Sequence, residues 1–468
     1  MFNAILVSQL SRESLDLPLT SRLLAIVSSL AFILVVALGA RVGFAWSQQR
    51  KIPHEVLATV PFAQETGSVA LALAEGQGFS SPFRNNTGPT AWLVPVYPLL
   101  LSAMFRVLGP MNLHAFAAIV TINIIVSTLA CIPIFYIGQR LGGRAVASLA
   151  AWLWVLLPSA IMIPFEWVWD TSLSAFLVAL LLYLTLALSD SHQVRDWLAY
   201  GALWGVSLLT NASIGALLLP WIGWTLYRQS QPATASATPG SSNPPDSTSP
   251  SNTHSLRCFS TWRGPLLSLA VATLCCLPWT VRNYVQFHKL IPLRSNFPFE
   301  FWSGNNSIFD PYGGSPMARI TQFAEVRQYK RLGETAYMAD KWRQAKEFVR
   351  THPRLEVQLT RERLITTWFC TKTPIADFLE TDSWLIRIIF LYNAMLFIGA
   401  VAGICVLGRR RNTFTFPLAA APLFFPLVYY ITHVSLRLRH PLDPVLAILT
   451  AVSITALSSA LSARFLGP

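Results

Sequence analysis

The sequence predicts an all-α polytopic membrane protein: about ten transmembrane helices, further juxtamembrane helices on the outer side and a mostly helical external region. Three observations predict it. Hydrophobic residues make up 53% of the chain and charged residues 12%, with a mean hydropathy of +0.47, which is not a soluble globular composition. Apolar runs long enough for a ~30 Å hydrocarbon core recur along the chain. Sixteen Trp and twenty-eight Phe fit aromatic belts at the membrane–water interfaces. The formal charge of +13, in a chain this apolar, is assigned to cytoplasmic anchors and a phosphate-reading site, not to nucleic acid. The six cysteines are scattered, and no pair within one exposed region suggests a disulfide or a zinc site.

Residues 1–21 are a short, weakly charged cytoplasmic lead-in, and 22–46 form the first span. A polar segment follows, with a helix over 62–75, and then 91–108, apolar but interrupted by Pro95 and Pro98. Residues 113–137 are a full span ending at Gln139-Arg140-Leu141-Gly142-Gly143-Arg144, whose two arginines mark the cytoplasm. That orientation leaves 91–108 as a juxtamembrane or re-entrant helix on the outer side. Spans 145–164, 171–189, 197–209 and 212–227 follow, with outer turns at 165–170 and Thr210-Asn211. Residues 229–256 are a Ser/Thr/Pro/Ala/Asn tract that cannot bury a core, expected as a disordered cytoplasmic linker. It separates an N-terminal membrane half, 1–228 with a first external loop at 47–112, from a C-terminal half, 257–468. The second half has spans 264–281, 384–407, 413–432 and 444–463, with an external region, 282–383, carrying helices near 325–349 and 354–369. Arg409-Arg410-Arg411 is the strongest cytoplasmic marker, and both termini are cytoplasmic.

The candidate site residues all open on the outer face. Pro278-Trp279-Thr280-Val281-Arg282-Asn283 is a membrane exit, where Trp sits at headgroup level and Arg reaches into phosphate. The plainer role for Arg282 is to snorkel and anchor the helix end. Glu65 lies on a helix against the membrane surface and is placed to take a proton from an acceptor hydroxyl, as against being a solvated charge. Glu166 and Asp170 share a face if their turn is helical, and Asp170 also suits the N-cap of the next span. Either acid, paired with Glu65, can hold a divalent metal, although no ligand spacing demands one. Arg437, Arg439 and His440 precede the last span on the outer side, against the positive-inside trend, and a phosphate partner supplies a reason. Anchoring to ordinary anionic lipid is the alternative. Asn211, Asn305 and Asn306 suit sugar hydroxyls and also turns.

Taken together, these segments resemble the C-type integral-membrane glycosyltransferases, nearest to the protein O-mannosyltransferases and the lipid A aminoarabinose transferases. The likeness covers most of the chain outside the linker. It is carried by Leu73-Ala74-Glu75-Gly76-Gln77-Gly78-Phe79, by Pro95-Val96-Tyr97-Pro98-Leu99-Leu100, by Asp170 and by the exit at Arg282-Asn283. Gly304-Asn305-Asn306 and the Arg439-His440-Pro441 loop complete it. The resemblance implies a hexosyl or pentosyl transferase that uses a polyprenyl-phosphate sugar donor and a lipid, glycan or protein acceptor at the outer face, with inversion. It implies Glu65 as base, Asp170 as second acid, and Arg282, Arg437 and Arg439 on the phosphate, with Asn283, Asn305, Asn306 and His440 as further substrate-binding residues. One departure stands out: the family's usual Asp position is Phe62 here, and Glu65 lies one helical turn on, so either Glu65 substitutes for that Asp or Asp170 is the base. The expected location is a bacterial inner membrane. The runner-up function is a multi-pass lipid or solute transporter, and a catalytically silent scaffold is a third.

Overall fold

The computed structural model describes residues 24–51, 63–83, 86–189, 191, 193–231, 253–306, 323–369, 371 and 378–465. The expected lead-in and most of the linker tract lie outside the described residues. The described residues are helical, with one isolated bridge between Ser80 and Pro89. The protein is an all-α polytopic integral membrane protein.

Helix α1 (Leu30–Gln49) starts where Ser29 Oγ accepts from Phe32 N at 3.3 Å. The polar helix α2 (Gln64–Ala74) and the apolar α3 (Val96–Leu108) follow. Asn112 then caps α4 (Leu113–Leu129), which runs on through α5 (Cys131–Val155). The chain reverses inside α5 at Gly142 and Gly143, the latter at φ +68°. A Cβ on Gly138 would lie 2.7 Å from Ala147 Cα, so the two arms touch. The expected loop at 139–144 is therefore a tight glycine turn, and α6 (Pro158–Glu166) completes the broken return arm.

Helices α7 (Thr171–Leu188), α8 (Val194–Thr210) and α9 (Leu218–Ser230) close the first half, with a 3-10 turn at Ala212–Leu217. The second half is built on α10 (Thr253–Phe287). Beyond it lie α11 (Phe297–Gly304), α12 (Phe323–Leu332), α13 (Glu334–Thr351) and α14 (Pro353–Phe369). Then come α15 (Trp384–Arg409), α16 (Thr415–Phe424), α17 (Leu427–Ile431), α18 (Leu436–Arg439) and α19 (Asp443–Phe465). Each of the expected spans has a helical counterpart. Among the described residues, six helical stretches have the length and hydropathy to cross a bilayer, while α3 and the α16–α17 pair are apolar but shorter.

Small residues let helices approach closely, both between the halves and within the second. A Cβ on Gly201 of α8 would lie 2.6 Å from Ser268 O of α10, and one on Gly403 of α15 would lie 2.1 Å from Leu449 O of α19. Without a hydrophobic drive between helices in lipid, such close backbone contact is what holds a bundle.

Two differences from expectation have specific causes. The helix expected at 325–349 is two, because Gly333 at φ +74° breaks it between α12 and α13. And α10 continues past its expected exit to Phe287. Arg282, within that extension, donates to Thr90 O at 2.6 Å and Phe79 O at 2.7 Å, with its guanidinium over Phe79, Trp279 and Phe287. Glu334 adds a second latch: it accepts from Thr90 Oγ1, Ala91 N, Ser295 Oγ and Tyr329 OH. These contacts tie Phe79, Thr90 and Ala91 to α10 and to the segment that leads into α11.

Candidate active site

The latched segments enclose a cavity of about 370 Å³, in the size range of small-molecule sites. Glu65 from α2, Asp170 from the α6–α7 turn, Arg294 and Glu300 from the approach to α11 and its first turn, and His433 and Arg437 around α18 all line it. Trp92, Trp169, Phe297 and Tyr429 supply aromatic wall.

Glu65 is aimed inward by the start of its helix. Ala63 and Gln64 are both at positive φ, and Trp169 Nε1 pins the turn by donating to Ala63 O at 3.1 Å. The side chain is 4% exposed, and Oε1 has no hydrogen-bond partner among the described residues. Burial pushes its pKa up to about 7; its own backbone N–H opposes this, and beyond that Glu300 raises it while Arg437 and Arg294 lower it. A buried carboxyl poised at neutral pH with a bare oxygen is equipped to take a proton.

Asp170 occupies the residue before α7, yet its carboxylate does not cap the helix. It accepts instead from Ser174 Oγ at 3.0 Å and Asn211 Nδ2 at 2.9 Å, and Asn211 is itself fixed by accepting from Ser213 N. Burial raises the Asp170 pKa, with Arg437 the main opposing influence. Glu166 does not join it: α6 ends at Trp167 in an extended conformation, so the shared helical face is never formed, and Glu166 points outward.

Arg437 Cζ lies over Trp169, 3.7 Å from the ring centroid, and 5.5 Å from that of Trp167. Its guanidinium lines the cavity and makes no hydrogen bond and no ion pair within 4.0 Å to another described residue. Arg294, by contrast, pairs with Glu300 at 3.2 Å and with Asn296, which also donates to Glu300 at 2.7 Å.

The remaining expected site residues hold other parts of the molecule and do not line this cavity. Arg282 is the latch described above, and Asn283 Nδ2 donates to Ile291 O. Asn305 donates to Phe301 O and Ile431 O, and Asn306 to Trp302 O. Arg439 is 2% exposed; it pairs with Asp443 at 3.0 Å and bonds to Asn393 and Trp368 O. His440 stacks on Trp154 with its Nδ1 2.9 Å from Asp443 Oδ2. Each commits polar atoms to protein partners. Conversely, Glu300, Asn296, His433 and Trp169 enter the cavity without any mark in the sequence pattern. An isolated acid in a long polar region, like Glu300, or a lone histidine at the end of a span, like His433, carries no spacing signal. As for a metal, Glu65 and Asp170 share the cavity. No group of three or more His, Cys, Asp or Glu side chains able to hold one occurs among the described residues.

A family model described as dolichyl-phosphate-mannose-protein mannosyltransferase matches residues 89–238. The chain thus resembles the C-type integral-membrane glycosyltransferases on a sequence match as well as on the motifs above. No curated protein matches. Among solved structures, the chain is similar to the apo oligosaccharyltransferase of Archaeoglobus fulgidus, at 12% identity and a TM-score of 0.47, over 93% of this chain and 51% of that one. The same organism's AglB in complex with an inhibitory peptide and a dolichol-phosphate gives 14% identity and 0.47, over 94% and 51%. ArnT from Cupriavidus metallidurans bound to undecaprenyl phosphate gives 14% and 0.39, over 95% and 80%. The chain spans about half the length of the archaeal proteins.

Proposed function

We propose that the protein is a glycosyltransferase that moves a hexosyl or pentosyl group from a polyprenyl-phosphate donor to a hydroxyl of a lipid, glycan or protein acceptor. The observation that carries this reading is the pairing, in one cavity, of a buried Glu65 carboxyl whose Oε1 has no hydrogen-bond partner among the described residues with an Arg437 guanidinium that makes no hydrogen bond to another described residue. The family-model match over 89–238 supports the donor class. Glu65 takes the proton of the acceptor hydroxyl as its oxygen bonds to the anomeric carbon. The carbon–oxygen bond to phosphate breaks, and the bonding pair leaves with the polyprenyl phosphate. Attack opposite the departing phosphate inverts the configuration. Arg437 faces the charge that grows on that phosphate, held rigid by Trp169, so its five N–H donors need no reorganisation. Asp170, fixed by Ser174 and Asn211, is the second acid and is placed to orient a substrate hydroxyl.

Both membrane halves, 1–228 and 257–468, contribute to the cavity in this reading, and it opens outward with both termini cytoplasmic. A bacterial inner membrane fits this arrangement. The test is sugar release and transfer by purified protein from a panel of labelled undecaprenyl-phosphate and dolichyl-phosphate sugars. Turnover of at least one donor, reduced about 10²-fold or more in Arg437→Ala, is expected. Tight lipid binding without turnover of any donor would instead favour a transporter or a silent scaffold.

A further inference from the structure

His433 lies on the short non-helical stretch between α17 and α18, and three neighbours fix that stretch. Asn305 Nδ2 donates to Ile431 O at 2.8 Å, and Arg363 Nη1 to Tyr430 O at 3.3 Å. A Cβ on Gly304 would lie 1.8 Å from Thr432 O, so only glycine admits this approach. The Gly304-Asn305 pair therefore backs the segment that carries His433 into the cavity.

The ring is oriented as well as placed. Glu300 Oε2 stands 3.3 Å from Nδ1, an ion-pair distance without hydrogen-bond alignment, and Nδ1 has no other partner among the described residues. Glu300 is in turn held by Arg294 and Asn296. A carboxylate beside Nδ1 favours the tautomer with its proton there, which leaves a lone pair on Nε2. Nε2 makes no hydrogen bond to another described residue, and the imidazole lines the cavity. The charged groups facing the ring are Glu300 on α11, Arg294 before it, Arg363 on α14 and Arg437 on α18. Burial holds the imidazole pKa below its ordinary value; Glu300 pulls it up and the three arginines push it further down. The ring is neutral at pH 7 and above, and Nε2 is an acceptor.

A neutral acceptor in a cavity otherwise furnished with carboxylates and guanidinium groups matches a hydroxyl donor, not an anion. We propose, building on the glycosyl-transfer reading above, that His433 determines donor specificity by accepting a hydrogen bond from one ring hydroxyl of the transferred sugar. The phosphate faces Arg437 and the reacting hydroxyl faces Glu65, so His433 reads a group that takes no part in bond making.

The test uses the full-length protein in lipid nanodiscs, with an undecaprenyl-phosphate hexose or pentose that the wild type turns over and its set of monodeoxy analogues. One deoxy donor should lose about 10-fold or more in kcat/KM with the wild type. His433→Ala should lose a comparable factor with the parent donor and almost nothing further with that same deoxy donor, a non-additive cycle. His433→Gln, which keeps an acceptor, should recover part of the discrimination, and it serves in the same cycle if His433→Ala fails to fold. Deoxy penalties that are identical in the wild type and the variant at every ring position overturn the inference and leave the transferase standing. No turnover of any donor by the wild type overturns both.

Discussion

Arg437 and Arg439 stand two residues apart in one four-residue helix, and they have opposite fates. A step of two residues is about 200° around a helix, so the two side chains leave on opposite sides. Arg439 enters the bundle, where Asp443, Asn393 and the Trp368 carbonyl take up its donors. Arg437 lies on Trp169 over the cavity, and its donors meet no acceptor among the described residues. Charge and neighbourhood in the sequence are the same. What separates the two is whether the fold supplies acceptors.

That contrast can be broken by experiment. Arg437→Ala should lower kcat/KM by about 10²–10³-fold with thermal stability almost unchanged. Arg439→Ala should do the reverse: leaving Asp443 buried without its cation is expected to cost about 3–5 kcal/mol, read as a lowered unfolding midpoint in matched detergent or nanodiscs. Equal effects of the two variants on stability would collapse the distinction.

The acid side sharpens the same comparison. The Glu65 carboxyl is raised from 4.5 to about 7, so the folded state holds a proton that the unfolded chain has released. Stability is therefore expected to fall as pH rises from 4.5 through 7 and to level off above. Glu65→Gln removes that loss. It should be more stable than the wild type at pH 8, by up to about 3 kcal/mol at roughly 1.4 kcal/mol per pH unit, and no more stable at pH 4. A buried carboxyl of this kind lowers the stability of the fold that holds it, and a stabilised but inactive variant is the signature expected if it is the proposed base.

The smallest effect belongs to the latch. Arg282→Ala removes two charge-assisted bonds to the carbonyls of Phe79 and Thr90, at a cost of about 1–2 kcal/mol. Amide exchange in residues 78–92 should quicken, and turnover should fall only modestly, because the cavity wall loosens without losing a charged group. A loss as large as that of Arg437→Ala would return Arg282 to the phosphate.

Much of the fold was legible in the sequence, because hydropathy and length specify helices in lipid almost by themselves. The turn at Gly142-Gly143, the polar helix α2 and the last apolar helix all lie where the pattern puts them. The split at Gly333 and the extension of α10 were hidden because one depends on a single glycine in a polar helix and the other on contacts from residues two hundred positions away. The cavity divides the same way. Glu65, Asp170 and Arg437 stood out as charges placed against their surroundings, and the fold brings them together. Glu300 and His433 did not, since only the approach of Gly304 to Thr432 and the latch at Glu334 carry them to the cavity. Arg282, Arg439 and His440 do not line the cavity, and the sequence alone does not tell a cation that bonds to protein groups from one that faces a ligand.

The most direct test of the account is the pH dependence of turnover for wild type and Glu65→Gln with the same donor. The wild-type kcat/KM should rise with pH and reach a plateau with a midpoint near 7, following ionisation of the buried carboxyl. Glu65→Gln should be slower by about 10²–10⁴-fold and should lack that rise. A variant that keeps the wild-type rate and the same midpoint would contradict Glu65 as the base and transfer that role to Asp170.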